Sequence, residues 1–125
     1  VFIGLSGKGK LTAEQIKQMN PKPIIFALSN PTPEILPDEA KKAGAAVVAT
    51  GRSDFPNQIN NVLAFPGIFR GAIDSRAKRI TEEMKLKAAE TLAAFVKSPT
   101  KNKILPSPLE KEVARKIAAE IVKIK

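Results

Sequence analysis

The sequence predicts an α/β chain: a parallel sheet with covering helices, followed by a helical half. Three patterns predict it. The apolar runs Val1-Phe2-Ile3-Gly4-Leu5, Ile24-Ile25-Phe26-Ala27-Leu28 and Ala45-Ala46-Val47-Val48-Ala49-Thr50 are continuous, not alternating. Such runs suit strands covered on both faces. Short helical stretches separate them, and strand–helix alternation argues parallel pairing by right-handed crossovers. After about residue 75 the apolar residues recur at steps of three or four, the pattern of amphipathic helices.

Each element has a local reason. The first strand opens the chain, and Gly7-Lys8-Gly9-Lys10 follows as a loop. Thr12-Ala13-Glu14-Gln15 fits a capping box and predicts a short helix to about Met19. Asn20-Pro21 ends it, because the residue before proline is pushed out of the helical region. The second strand lies between Pro23 and Asn30-Pro31, and Pro31, Pro33 and Pro37 punctuate the loop after it. A helix over 38–43 closes at Gly44, the third strand follows, and Gly51 opens another loop. Val62–Ala72 is an apolar segment that must be buried, with Phe65-Pro66-Gly67 kinking it or restarting a helix. Ile80, Met84, Ala88, Leu92 and Phe95 or Val96 line one later helix, and Leu109, Val113, Ile117, Ile121 and Ile124 another. Ser98-Pro99 and Pro106-Ser107-Pro108 separate the two. The domain reading is therefore 1–75 for the sheet-forming part and 76–125 for the C-terminal helices.

Composition narrows the chemistry. At 125 residues the chain has room for one ordinary domain, and 43% hydrophobic residues allow a core. Cys, His, Tyr and Trp are all absent. That removes disulfides, thiolate or imidazole metal ligands, a thiol nucleophile and the commonest general base. No paired-carboxylate pattern appears, so acid–base chemistry by this chain alone has weak support. No apolar run reaches the length of a membrane span. Lys and Arg number 21 against 12 Asp and Glu. The excess is concentrated: residues 1–75 hold 8 basic and 6 acidic residues, residues 76–125 hold 13 and 6. A solvated basic helix face is the plain reading. Nucleic-acid binding would need stacking aromatics beside the charge. Val1 begins in mid-run with no signal-peptide character and no initiator Met, which predicts a piece of a longer chain.

In an open parallel sheet, ligands bind outside the carboxyl ends of the strands. Three such loops are legible: Ser6-Gly7-Lys8-Gly9, Ser29-Asn30-Pro31 and Thr50-Gly51-Arg52-Ser53. The first has neither the P-loop nor the G-x-G-x-x-G frame. In the second, Asn30 precedes a proline, and its amide offers both a donor and an acceptor. It could bind a ligand or hold its own turn. Asn57, Gln58, Asn60 and Asn61 crowd just before the apolar segment, as ligand-binding amides or as a hydrogen-bonded corner.

Phe26-Ala27-Leu28-Ser29-Asn30-Pro31-Thr32-Pro33, Ala49-Thr50-Gly51-Arg52-Ser53-Asp54 and Asn57-Gln58-Ile59-Asn60-Asn61-Val62-Leu63-Ala64-Phe65-Pro66-Gly67-Ile68 occur in this order. Together they closely resemble the C-terminal part of malic enzymes of the compact prokaryotic type. The resemblance covers nearly the whole chain. It implies a Rossmann-like NAD(P)-binding domain, of which residues 1–75 supply the second half, the later strands only, and residues 76–125 the helices packing on it. It implies oxidative decarboxylation of malate to pyruvate and CO2, with NAD or NADP and with Mg²⁺ or Mn²⁺. On this resemblance Asn30, Asn60 and Asn61 are the substrate-binding candidates, with Asn61 slightly favoured over Asn60. Ser6, Gly7, Ser29 and Asn30 are the cofactor-binding candidates. The family's Tyr/Lys acid–base pair, its acidic metal ligands and its G-x-G-x-x-G loop fall before this stretch. No catalytic residue and no metal ligand is therefore assigned here, and the isolated chain is expected to be inactive. The remaining implications are a cytoplasmic homo-oligomer, the rest of the same enzyme as a partner, no membrane and no nucleic acid. Two rival readings are a piece of another Rossmann dehydrogenase and a non-catalytic basic module that binds nucleic acid or a partner protein.

Overall fold

Three short parallel strands organise the first part of the chain. The computed structural model describes residues 1–124. Strands β1 (Phe2–Gly4), β2 (Ile24–Ala27) and β3 (Val47–Thr50) lie side by side in the order β1-β2-β3. Phe2 stands opposite Ile25, and Ile24 opposite Val47. Because all pairings are parallel, Gly4, Ala27 and Thr50 end at one edge of the sheet. Helix α1 (Ala13–Lys17) connects β1 to β2, and α2 (Pro37–Lys42) connects β2 to β3.

The helix starts follow from sequence chemistry. Thr12 and Gln15 complete the capping box: the Gln15 N–H donates to the Thr12 hydroxyl at 3.2 Å and the Thr12 N–H to Gln15 Oε1 at 2.9 Å. Pro37 opens α2, where its missing N–H is no loss. Ile16, Ile25, Ala27, Ile35, Ala40 and Val48 form the core of this part. Burying a side chain such as Ile16 or Ile25 contributes about 1.5–3 kcal/mol. β1 is shorter than its apolar run: Leu5 is exposed, and so are Val1 and Ile3.

The chain forms two compact units rather than one. Residues Val1–Ile59 and Thr100–Ile104 make the first; Asn60–Pro99 and the chain from Leu105 onward make the second. The second unit contains a 3-10 turn (Asn61–Leu63) and helices α3 (Phe65–Asp74), α4 (Glu82–Phe95) and α5 (Lys111–Val122). Its core is Ile68, Met84, Ala88, Val113, Ile117 and Ile121. Three sequence expectations need correction. The 62–72 segment is not wholly buried: α3 buries Gly67, Ile68, Gly71 and Ala72 but leaves Phe65 and Phe69 exposed. Ile80 precedes the α4 cap Thr81 and is exposed. Leu109 precedes α5 and is 89% exposed, so the buried face of that helix starts at Val113. Among the described residues no helix is long and apolar enough to cross a membrane.

Candidate functional site

The shared carboxyl edge of β1, β2 and β3 carries the loops that could form a site. Ser6 and Gly7 follow β1, Ser29 and Asn30 follow β2, and Gly51 and Arg52 follow β3. The first two loops are joined by a residue that sequence reasoning passed over. Glu34 is 1% exposed. Its Oε1 accepts the Ser6 N–H at 2.8 Å and the Ser29 hydroxyl at 2.5 Å, with the Gly7 N–H at 3.4 Å. Its Oε2 accepts the Ser29 N–H at 3.3 Å. The Ser29 hydroxyl in turn accepts the Gly7 N–H at 2.8 Å. A glutamate in a proline-rich loop reads as solvated. The one local hint is its setting between Pro33 and Ile35, both of which are buried.

Burial pushes the Glu34 carboxyl up, but the hydrogen bonds from Ser29 and Ser6 favour the charged form and hold it below the usual glutamate range. A depressed folded-state pKa contributes stability that is complete above the unfolded value and is lost as pH falls through the folded one. The stability advantage of the wild type over Glu34→Gln is therefore expected to be constant near neutrality. It should shrink on acidification below the ordinary glutamate pKa. Parallel melting curves of the two proteins from pH 7 to pH 3 check this, and a constant gap would refute it.

Asn30 stands at the open side of this edge, and the Asn30–Pro31 peptide bond is cis. Its side chain is exposed and makes no hydrogen bond among the described residues. The amide lies against Gly51, where a Cβ would come within 2.9 Å of Asn30 Nδ2 and 3.3 Å of the Leu28 carbonyl oxygen. Gly51 thus gives Asn30 its place. Arg52 braces the same region. Its guanidinium grips Asp54 through two bonds, of 2.8 and 2.5 Å, donates to the Pro31 carbonyl at 3.4 Å and lies over the Phe55 ring. The mutual hydrogen bond raises the Arg52 pKa and lowers that of Asp54. Both groups are exposed, so the pair orders the loop more than it stabilises the fold.

The four clustered amides separate into different tasks. Asn57 is buried with φ +60°. Its Nδ2 donates to the Val48 and Lys101 carbonyls at 3.0 and 2.8 Å, and its Oδ1 accepts the Ile104 N–H at 3.0 Å. It is a corner staple within the first unit. Gln58 donates to the Gly51 carbonyl at 3.3 Å. In the second unit, Asn60 caps the 3-10 turn by accepting the Val62 N–H at 3.1 Å. Asn61 is exposed, and its side chain makes no hydrogen bond among the described residues. The first unit thus brings Ser6, Gly7, Ser29 and Asn30 together, while Asn60 and Asn61 belong to the second.

The chemistry of this edge is selective. The Ser6 and Gly7 N–H groups point inward to Glu34 and Ser29, so they are not an anion cradle. A buried carboxylate behind them disfavours a pyrophosphate. A neutral carboxamide or hydroxyl suits the open amide of Asn30. A flat group can approach at Gly7, where an added Cβ would meet nothing within 4 Å. Among the described residues no three His, Cys, Asp or Glu side chains form a metal-binding group. Lys85, Lys87, Arg115 and Lys123 each pair with a glutamate three residues away on the same helix. That is a solvated helix surface, and it gives the basic-module reading no support.

Comparison with known proteins places the whole chain in one family. The family model "Malic enzyme, NAD binding domain" matches residues 1–125. The bifunctional malic/malolactic enzyme of Bacillus subtilis is 54% identical over 125 residues, covering 98% of this chain and 30% of that protein. The NADP-dependent malic enzyme of Rhizobium meliloti is 58% identical over 98 residues, covering 78% of this chain and 13% of its own length. The NAD-dependent malic enzyme structure from Thermotoga maritima superimposes with a TM-score of 0.93 at 47% identity, covering 98% of this chain and 32% of that one. The chain thus spans less than a third of the length of these relatives. A family model matched over every residue leads to one conclusion: the chain belongs to the malic enzyme NAD-binding domain family.

Proposed function

We propose that this chain is part of a malate oxidoreductase, which converts malate to pyruvate and CO2 while reducing NAD or NADP. The observation that carries the reading is Asn30: an exposed amide without a hydrogen-bond partner among the described residues, set at the carboxyl edge of β2 by contact with Gly51. Such an amide can donate to a carboxylate or hydroxyl of malate without adding charge beside a metal. Asn61 is the second substrate contact we favour, since its side chain is exposed and Asn60 already caps a turn. Ser6, Gly7 and Ser29, with Asn30, shape the side of the rim that faces the nicotinamide end of the cofactor. On this reading those residues would hold the nicotinamide end, whose chemistry when bound would be to take up hydride from malate. Mg²⁺ or Mn²⁺, the catalytic acid–base pair and the pyrophosphate site come, on this reading, from other parts of the same protein. Residues 1–75 then belong to the nucleotide-binding domain and 76–125 are its C-terminal helices. The exposed apolar side chains of Val1, Ile3 and Leu5, alternate residues in and beside edge strand β1, support other parts of the same protein covering that face. We also read the protein as a cytoplasmic homo-oligomer.

Asn30→Ala in the full-length protein is the test. Loss of one hydrogen bond to a charged substrate corresponds to roughly a ten- to hundredfold fall in kcat/KM for malate. Steady-state kinetics with malate varied at saturating cofactor would read it. Unchanged KM and kcat would remove Asn30 from the site.

A further inference from the structure

We propose that Glu34 is a positioning residue for malate turnover: its buried side chain fastens the β1 loop to the β2 loop and so sets where Asn30 stands. The inference rests on the proposed role of Asn30. Glu34 contacts the backbone on both sides of the junction, Ser6 and Gly7 after β1 and Ser29 after β2. The Ser29 hydroxyl completes the link by donating to Glu34 while accepting from Gly7. The Glu34 backbone adds a further tie, its carbonyl accepting the Gly9 N–H at 3.0 Å. The residue after Ser29 is Asn30, so both the N–H and the hydroxyl that precede the substrate-facing amide are held by one buried group.

The packing around Glu34 is built for a carboxylate. A Cβ on Gly4 would lie 2.6 Å from Glu34 Cδ and 2.8 Å from Oε1, so β1 clears space for it. The hydrogen bonds to its carboxylate come from N–H and hydroxyl groups, with no cation among them. A buried charge held by dipoles alone is a poor way to gain stability, since apolar packing of similar volume is often as good. It is an effective way to align several donors at once, because one charged acceptor draws all of them, with the Ser6 N–H and the Ser29 hydroxyl closest at 2.8 and 2.5 Å. Small displacements of a substrate-positioning group are expensive in rate. Glutamine cannot replace the carboxylate: its NH2 would face either the Ser29 N–H or the donors from Ser6 and Gly7, setting donor against donor.

The test is a double-mutant cycle in the full-length protein with Glu34→Gln, Asn30→Ala and the pair, reading kcat and KM for malate beside the melting temperature. The expected result is a fall of at least about tenfold in kcat/KM for Glu34→Gln alone, and less than about twofold further loss when Asn30 is already alanine. A merely structural role would lower melting temperature and cut activity by the same factor in both backgrounds. That equal factor, or no change from Glu34→Gln, overturns the inference. Should Glu34→Gln fail to fold, Ser29→Ala takes its place, since it removes the hydroxyl link and keeps the backbone one. Its effect should likewise be smaller in the Asn30→Ala background, and equal factors would again refute the proposal. An inert Asn30→Ala sinks the assignment of Asn30 and this inference together. An impaired Asn30→Ala with additive Glu34→Gln sinks this inference alone.

Discussion

Gly67→Ala is expected to destabilise the protein by about 2–3 kcal/mol, the upper part of the range for overpacking a tight core. The sign is informative because two effects oppose each other. Alanine is the better helix former by about 1 kcal/mol, so helix propensity alone predicts stabilisation. Packing predicts the reverse. A Cβ at Gly67 would lie 2.6 Å from Ile117 Cβ and 2.8 Å from the Ala114 carbonyl oxygen. One turn on, a Cβ at Gly71 would lie 2.7 Å from Ile121 Cβ and 2.9 Å from the Ala118 oxygen. Positions four apart share a helix face, so the two glycines form one flat strip on α3 that receives α5. Besides the isoleucine Cγ2 atoms, the obstructing atoms are Cβ and backbone, which cannot swing aside. Truncating the partner to Ile117→Ala removes Cγ2 but leaves the Cβ and the Ala114 oxygen in place, so it should not fully rescue Gly67→Ala. Thermal or urea unfolding of the full-length variants decides the matter. A Gly67→Ala protein as stable as wild type, or full rescue by Ile117→Ala, would show that α3 and α5 do not meet backbone to side chain at this strip.

These glycines mark where sequence reading stopped. The three strands were legible because continuous apolar runs bounded by Pro and Gly have few other uses, and Thr12 and Gln15 announced α1 by their spacing. The later helices showed in the recurrence of Met84, Ala88, Val113, Ile117 and Ile121. Phe65-Pro66-Gly67 signalled a restart, but its apolar residues could not be sorted into buried and exposed. Phe69 is the larger hydrophobe, yet it is Gly71 that lies buried, because close backbone approach selects for the absence of a side chain. Glu34 went unread because the donors that make its burial tolerable, from Ser6, Gly7 and Ser29, meet only once the β1 and β2 loops come together. The amides were recognised as a group but not by task. Their tasks depend on the left-handed backbone at Asn57 and on a partner as distant in sequence as Lys101.

Asn57 makes the largest demand among those amides, and Asn57→Ala is expected to cost about 3–5 kcal/mol. Three backbone groups would lose their partner: the Val48 and Lys101 carbonyls and the Ile104 N–H. Each such group left unsatisfied costs about 1–3 kcal/mol where water does not replace the bond. The positive φ of +60° adds a second penalty, of about 1 kcal/mol or more for a residue with a Cβ and no local hydrogen bond. Asn57→Gly separates the two contributions. It loses the same hydrogen bonds but relieves the backbone, so it should be more stable than Asn57→Ala by about 1 kcal/mol and still clearly weaker than wild type. If Asn57→Gly matches wild type, the position requires only the left-handed backbone and the staple contributes nothing. A different result would reassign the residue altogether. If both variants keep their melting temperature while KM for malate rises, Asn57 is a ligand-binding amide beside Asn30. The buried side chain argues against that, because both Nδ2 hydrogens are already donated and Oδ1 already accepts within the first unit.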